Sequence, residues 1–226
     1  MKRIQYGIAA LFVAHLAAFA TPTLAAESAD LAVKGMIRPA ACDISLSNSG
    51  AVDFGNIFVK DLSDTTFTRV GRRNLTLTVT CDAAAMFGIT ATDGRAGTAT
   101  PGAAAFLHSN QNDAAAFGVG SVDGTNVGAY LLYRAGAASG DGNAIASLAT
   151  NNGGTTWSAA GGADNAIVPG ARMHAWAATG QTAPGSFQSV SQTYTVALAL
   201  PKTGDLPDLT QAVPIDGLAT LTINYL

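Results

Sequence analysis

Leu75-Thr76-Leu77-Thr78-Val79-Thr80-Cys81 alternates three aliphatic side chains with three threonines. Successive side chains of an extended chain point to opposite faces, so Leu75, Leu77 and Val79 share one face and the threonines the other. Valine and threonine also favour extended backbone, which makes this stretch a strand with one buried face. The last residues repeat the pattern. In Ala219-Thr220-Leu221-Thr222-Ile223-Asn224-Tyr225-Leu226, Ala219, Leu221, Ile223 and Tyr225 fall on one face and Thr220, Thr222 and Asn224 on the other. The chain is expected to finish inside a strand. Burying Leu221, Ile223 and Tyr225 would contribute roughly 5 to 8 kcal/mol, an upper bound set by an extended unfolded chain.

Further strands are expected on both sides of Cys81. Leu31, Val33, Gly35 and Ile37 alternate with Ala32, Lys34, Met36 and Arg38 up to Pro39, which predicts a first strand. Residues 51–58 have strand composition, with Gly55 suggesting a bulge. Residues 87–92 end at Asp93-Gly94, residues 127–134 follow Asp123-Gly124, and residues 173–177 and 194–200 read in the same way. Between them, residues 135–166 hold Gly, Ala, Ser and Asn with only Ile145, Leu148 and Trp157 as large apolar side chains, and are expected to be loop-rich. Helical periodicity is limited to single turns at Ala103–Leu107 and 113–117. Strands throughout, separated by Gly-rich turns, indicate an all-β chain, a β-sandwich or barrel.

The N-terminus reads differently. Lys2 and Arg3 precede an apolar stretch from Gly7 to Ala20, broken only by His15, and then Thr21-Pro22-Thr23-Leu24-Ala25-Ala26. This is the pattern of a secretory signal peptide cut after Ala25 or Ala26, and its apolar core is shorter than the roughly 20 residues of a membrane span. The expected organisation is a signal peptide over 1–26 and one β domain over 27–226, exported and without a membrane span after cleavage. Loss of Lys2 and Arg3 leaves 10 basic against 15 acidic residues, a net charge of −5, which argues against a nucleic-acid partner. Charged residues make up only 12% of the chain, about half the usual share, so solubility rests on Ser, Thr, Asn and Gly.

Cys42 and Cys81 are the two cysteines of the chain. In an oxidising compartment a single pair permits one intramolecular connectivity, and a Cys42 to Cys81 disulfide is expected. Metal binding is the rival reading, disfavoured because the spacing is far from Cys-x-x-Cys and no histidine is near. The only histidines beyond the signal are His108 and His174, and neither lies in a hydrolase, metalloprotease or phosphate-loop motif, so no catalytic residue or cofactor is assigned and an enzyme is not expected. Asp93, Asp123 and Asp141 each precede glycine, better explained by turns than by calcium. Trp157 and Trp176 are candidates for a sugar-stacking platform, weighed against ordinary packing.

Several of these stretches together resemble chaperone-usher pilins. Val33-Lys34-Gly35-Met36-Ile37-Arg38-Pro39-Ala40-Ala41-Cys42 is similar to the pilin opening, Val52-Asp53-Phe54-Gly55-Asn56-Ile57 to the element that follows, and Ala219-Thr220 with penultimate Tyr225 to the pilin C-terminal signature. The middle, including Ile89-Thr90-Ala91-Thr92-Asp93, Phe117-Gly118-Val119-Gly120 and Val127-Gly128-Ala129-Tyr130, looks like a related family of exported, fimbria-associated proteins of unassigned function. The resemblance implies an immunoglobulin-like sandwich with an open groove, completed by an extended segment from a neighbour or a chaperone. It implies a periplasmic chaperone, an outer-membrane usher and other fimbrial subunits as partners, in the periplasm or surface fimbria of a Gram-negative bacterium. Leu221, Ile223 and Tyr225 would form the strand a chaperone pairs with, and Leu31, Val33 and Ile37 the donor arm or first strand. The alternative is a self-complete domain, an exported module for a glycan or surface.

Overall fold

A computed structural model of the chain describes residues 31–38 and 40–226. The expected signal peptide and cleavage site lie outside the described residues. The chain divides into two units, Met1–Arg38 and Pro39–Leu226. In the first, residues 31–38 form no strand, and Leu31, Val33, Met36 and Ile37 are exposed. The first strand expected over residues 31–37 is therefore corrected. Period-2 order is present, but an extended ribbon becomes a strand only when a neighbour takes its N–H and C=O groups.

The second unit is all-β, and one strand organises it. β1 is Cys42–Leu46 and β2 runs Thr68–Asp93, 26 residues that the sequence pattern divides into two strands. The first half of β2 lies between β1, with Ile44 opposite Val79, and β10 (Ser186–Leu200), with Val190 opposite the same Val79. The second half lies between β11 (Ala219–Tyr225), with Ile223 opposite Ile89, and β9 (Met173–Ala178), with His174 opposite Ile89. Between the halves the β10 register jumps from Ser189 opposite Thr80 to Phe187 opposite Ala85. On the β10 side residues 81–84 thus face Gln188 alone, a bulge at which β2 bends. Leu75, Leu77 and Val79 before the bend and Phe87, Ile89 and Ala91 after it are buried in one cluster, so both halves turn the same face inward.

β6 (Ala129–Gly140) pairs with β10, Leu132 opposite Val196, and β7 (Asn143–Thr150) pairs with β9, Leu148 opposite Ala175. The ends of β6 and β7 form a hairpin, Ala138 opposite Ile145, so pairing runs β2, β10, β6, β7, β9 and back to β2. Closing the circuit satisfies backbone groups that would otherwise be edges. β3 (Phe117–Gly118) extends β6, β8 (Ser158–Ala159) extends β7, and β4 (Ser121–Val122) and β5 (Thr125–Asn126) form a separate hairpin. The β4–β5 turn is Asp123-Gly124, both at positive φ, the mirror-image turn that hairpin twist favours.

β10 is buried on both faces. Val196 and Leu198 face the main cluster, while Ala197 and Ala199 face a smaller one built with Leu131, Ala115 and the short helix α1 (Ala103–Leu107). Burial on both faces explains the continuous apolar run Val196-Ala197-Leu198-Ala199-Leu200. Two expectations are corrected. Residues 135–150 are the β6–β7 hairpin rather than loop, turned by Asp141-Gly142 at positive φ. Residues 51–58 carry no strand, although Val52, Phe54 and Ile57 pack on the core. Among the described residues no helix is long and apolar enough to cross a membrane.

Candidate functional site: an apolar cleft beside two strand ends

Cys42 and Cys81 stand directly opposite each other in β1 and β2 and form the expected disulfide. The bond pins β1 at its start, and hydrogen bonds around it tie in the neighbouring chain ends. The Ala41 N–H donates to the Asp82 carboxylate at 2.8 Å and the Asp82 N–H to the Ala41 carbonyl at 3.0 Å. The Cys42 N–H donates to the Tyr225 hydroxyl at 2.8 Å, and the Leu226 N–H to the Met86 carbonyl at 3.1 Å. β11 and β1 run in the same direction along β2, so the end of β11 meets the start of β1 across the bend. This fixes Tyr225 differently from expectation. Its side chain is 55% exposed and acts through its hydroxyl rather than by core burial, whereas Leu221 and Ile223 do face the core and are half-buried. Among the described residues β11 pairs with β2 alone, so its outer edge carries no strand.

An apolar cleft opens between two irregular segments. Leu75 of β2, Leu132 of β6 and Val196 and Leu198 of β10 form its floor at one end, and Leu200 and Val127 at the other. One wall is residues 50–59, carrying Val52, Phe54 and Ile57, and the other is residues 206–218, carrying Leu209, Val213 and Ile215, continued by Leu221 of β11. The two parts, adjacent cavities of about 240 and 450 Å³, share Val52, Phe54 and Ile215 in their linings. The rim is mixed, with Phe58, Val59, Ile215 and Leu218 exposed beside the exposed Asp53, Asn56, Gln211 and Asp216. Arg73 lies over the Phe54 ring at 5.3 Å and Lys60 over the Phe58 ring at 5.8 Å, which gives the aromatic wall a cationic border. Such a trough has the chemistry to take an extended apolar segment, with main-chain groups at the rim and alternate side chains below.

Residues 50–59 reach this position through an unusual turn after β1. Asn48, Ser49 and Gly50 are successive left-handed residues with φ of 51°, 52° and 78°. Asparagine and glycine tolerate that region better than other residues, and a side chain on Gly50 would meet Leu46. The turn then places Val52 and Phe54 over the floor. The Asp53 carboxylate accepts the Gly55 N–H at 2.7 Å, where Gly55 has φ 70°, a local turn that ends the extended run.

The remaining polar candidates have structural surroundings. His174 is fully buried, with Nδ1 3.0 Å from the Tyr194 hydroxyl and the two rings stacked. Arg134 is also buried. Its Nη2 donates to the Leu148 carbonyl at 2.7 Å and the Ala175 carbonyl at 3.2 Å, bridging from β6 to β7 and β9 where β6 and β7 have splayed apart. Burial pushes the Tyr194 phenol up, opposed by the nearby Arg134 guanidinium. Trp176 is buried and its Nε1 donates to Gln192 Oε1 at 3.4 Å, so the proposed pairing of Trp157 with Trp176 as an exposed sugar platform is corrected. Asp141 accepts the Gln188 and Ser189 N–H groups, and Asp93 those of Arg95 and Gly118, so both carboxylates are committed to backbone. His108 follows α1, its ring 6.2 Å from that of Tyr133.

Residues 31–131 match the model of a family described as "Protein of unknown function (DUF1120)". The chain is also 31% identical over 224 residues to a protein of Escherichia coli (strain K12) described as "Uncharacterized protein YhcF", covering 93% of this chain and 88% of that one. The chain belongs to this DUF1120 family. The family match takes in residues 31–38, β1, β2 and the wall at residues 50–59, whereas the similarity to YhcF extends well beyond Leu131. No residue of the cleft would be singled out by a chemical motif, because its lining is mostly ordinary aliphatic and aromatic side chains, and its polar members Asp53, Asn56, Gln211 and Asp216 form no catalytic or metal-binding pattern. The signal available was compositional: apolar residues in segments rich in Pro, Asp and Gly, where a loop would be polar.

Proposed function

We propose that this protein is a structural or minor subunit of a bacterial surface fimbria, or a fimbria-associated periplasmic protein, joined to its neighbours by strand complementation. The observation that carries the reading is the cleft over Leu75, Val196 and Leu198, where residues 50–58 and 206–218 border it without forming strands and only Leu46 of β1 and Ala219 and Leu221 of β11 reach its walls from strands. A complementary ribbon exists in the same sequence. Leu31, Val33 and Ile37 alternate, are exposed and form no strand, with Leu31 and Val33 each 88% exposed. Seating three such side chains in a neighbouring copy would contribute roughly 5 to 8 kcal/mol before the cost of ordering the arm. The unpaired outer edge of β11, with Leu221 and Ile223 turned inward beneath it, is the place for a periplasmic chaperone strand before assembly through an usher.

Val33→Asp and Ile37→Asp test this reading, because both positions are exposed and neither belongs to a core. Each variant should keep its melting temperature within about 2 °C of the parent, as surface changes of under about 0.5 kcal/mol do. Each should also lose the detergent-stable ladder that strand-complemented subunits give on unheated gels. A ladder that survives both substitutions, or a parent protein that is a lone stable monomer at all concentrations, refutes the reading and favours a self-complete surface-binding module.

A further inference from the structure

The stretch joining β10 to β11, residues 201–218, contains one short 3-10 turn, Thr203–Asp205, and no strand. It is fastened at its ends. At the first, the Thr203 N–H donates to the Ser63 carbonyl at 2.9 Å. At the second, the Asp216 N–H donates to the Val119 carbonyl at 2.9 Å, the Gly94 N–H to the Leu218 carbonyl at 2.8 Å, and the Arg95 guanidinium holds the Asp216 carboxylate. Between these clamps, among the described residues, the hydrogen bonds of residues 207–215 run only between Thr210 and Asp208, inside the stretch itself. Pro207 and Pro214 bracket it and donate nothing. What holds it down is the burial of Pro207 and the packing of Val213 on the core, while Leu206, Leu209 and Ile215 face the cleft.

We infer that residues 206–215 are a displaceable strap, a wall of the cleft that swings out between its two clamped ends when the incoming strand enters. This rests on the strand-complementation reading. The physical reasons are local. A backbone without bonds to its surroundings opens at the low end of the stability scale, and the fixed ends confine the motion to a hinged swing. An extended segment must lay its side chains over Val196, Leu198 and Leu200, and the strap borders that path, Ile215 beside Val196 and Leu198 and Leu206, Leu209 and Val213 beside Leu200. The strap meanwhile keeps that surface from water and from unwanted partners, and it returns when the cleft empties.

A peptide of residues 31–38, added to the full chain, separates the possibilities. Without peptide, the amides of residues 208–213 should exchange hydrogen at least about a hundredfold faster than those of residues 196–200 and 219–225. With saturating peptide, residues 196–200 gain protection while the thiol of a Leu209→Cys variant is labelled about tenfold faster as the strap lifts. Arg95→Gln, which loosens one exposed clamp, should raise the peptide association rate by about two- to fivefold. Peptide that binds while slowing the labelling of that introduced thiol lies beside a fixed wall and overturns the strap but not the complementation reading. Peptide that does not bind overturns both, and amides 208–213 as protected as their flanks overturn the strap without reference to any ligand.

Discussion

Replacing Cys42 and Cys81 together by alanine should lower the unfolding free energy by about 4 kcal/mol, because the bridge closes a sequence separation of 39 and removes the corresponding loop entropy from the unfolded chain. The local geometry gives no substitute for it. β1 has five residues, Cys42–Leu46, and its inward side chains Cys42, Ile44 and Leu46 are only partly buried. Without the bridge, its start is held by the Ala41–Asp82 bonds and the Cys42 N–H bond to Tyr225. For a domain of this size 1 kcal/mol moves the melting temperature by about 2 to 4 °C, so the expected fall is about 8 to 16 °C. Urea unfolding followed by tryptophan fluorescence measures it, with Trp176 buried in the core as the reporter. The alanine pair should also show a larger m-value, since an unbridged chain exposes more surface on unfolding. A loss below about 1 kcal/mol with an unchanged m-value would refute the reasoning, because it would mean the unfolded chain was not constrained by the bridge.

Three other changes test different parts of the packing. Gly128→Ala should destabilise by about 1 to 3 kcal/mol in the same urea assay, because a Cβ there would stand 2.6 Å from the Ala199 carbonyl oxygen, which belongs to backbone and cannot turn aside. Arg134→Met keeps the stem but leaves the Leu148 and Ala175 carbonyls without their donor, an expected loss of about 2 to 5 kcal/mol with faster amide exchange at the β6–β7 splay. Stability should also fall above about pH 10. Burial raises the phenols of Tyr130 and Tyr194, so the folded protein keeps protons that the unfolded chain releases, and unfolding should become easier by up to about 1.4 kcal/mol per pH unit for each phenol. Absorbance titration showing both ionising near pH 10 in the folded protein contradicts that.

The long alternating runs were legible because their side chains are large. Leu75, Leu77 and Val79 contrast sharply with threonine, and so do Leu221 and Ile223, and both runs are strands with the expected inward faces. Residues 135–150 carried no such contrast. Ala138, Ala149 and Gly140 are buried there, but Ala and Gly give too weak a hydropathy signal to reveal a period, and the partner strands, not the residues themselves, make the hairpin. The opposite error occurred over residues 31–37, where contrast was high and pairing absent. The disulfide was readable from cysteine count and an expected oxidising compartment. The cleft was not, since its floor and walls come from β2, β6, β10 and two irregular segments far apart in sequence.

The length of β2 connects the disulfide to the cleft. Leu46 of β1 pairs with Leu77 and Ala219 of β11 with Asp93, positions 16 residues apart that would lie roughly 50 Å from each other on a straight strand. Leu46 and Ala219 nevertheless line the same cavity of about 240 Å³, so the bend at residues 81–84 must bring the two halves of β2 toward each other. Cys81 stands at the start of that bend, tied to Cys42, and the Tyr225 hydroxyl closes the gap from the β11 side. The bridge therefore sits where it can hold the fold of β2 over itself, and the width of the cleft follows from the same bend. Under the proposed strand complementation, loss of the bridge should thus weaken capture of a peptide of residues 31–38 more than the fall in global stability alone would account for, since one wall of the cleft follows β1 and the other leads into β11.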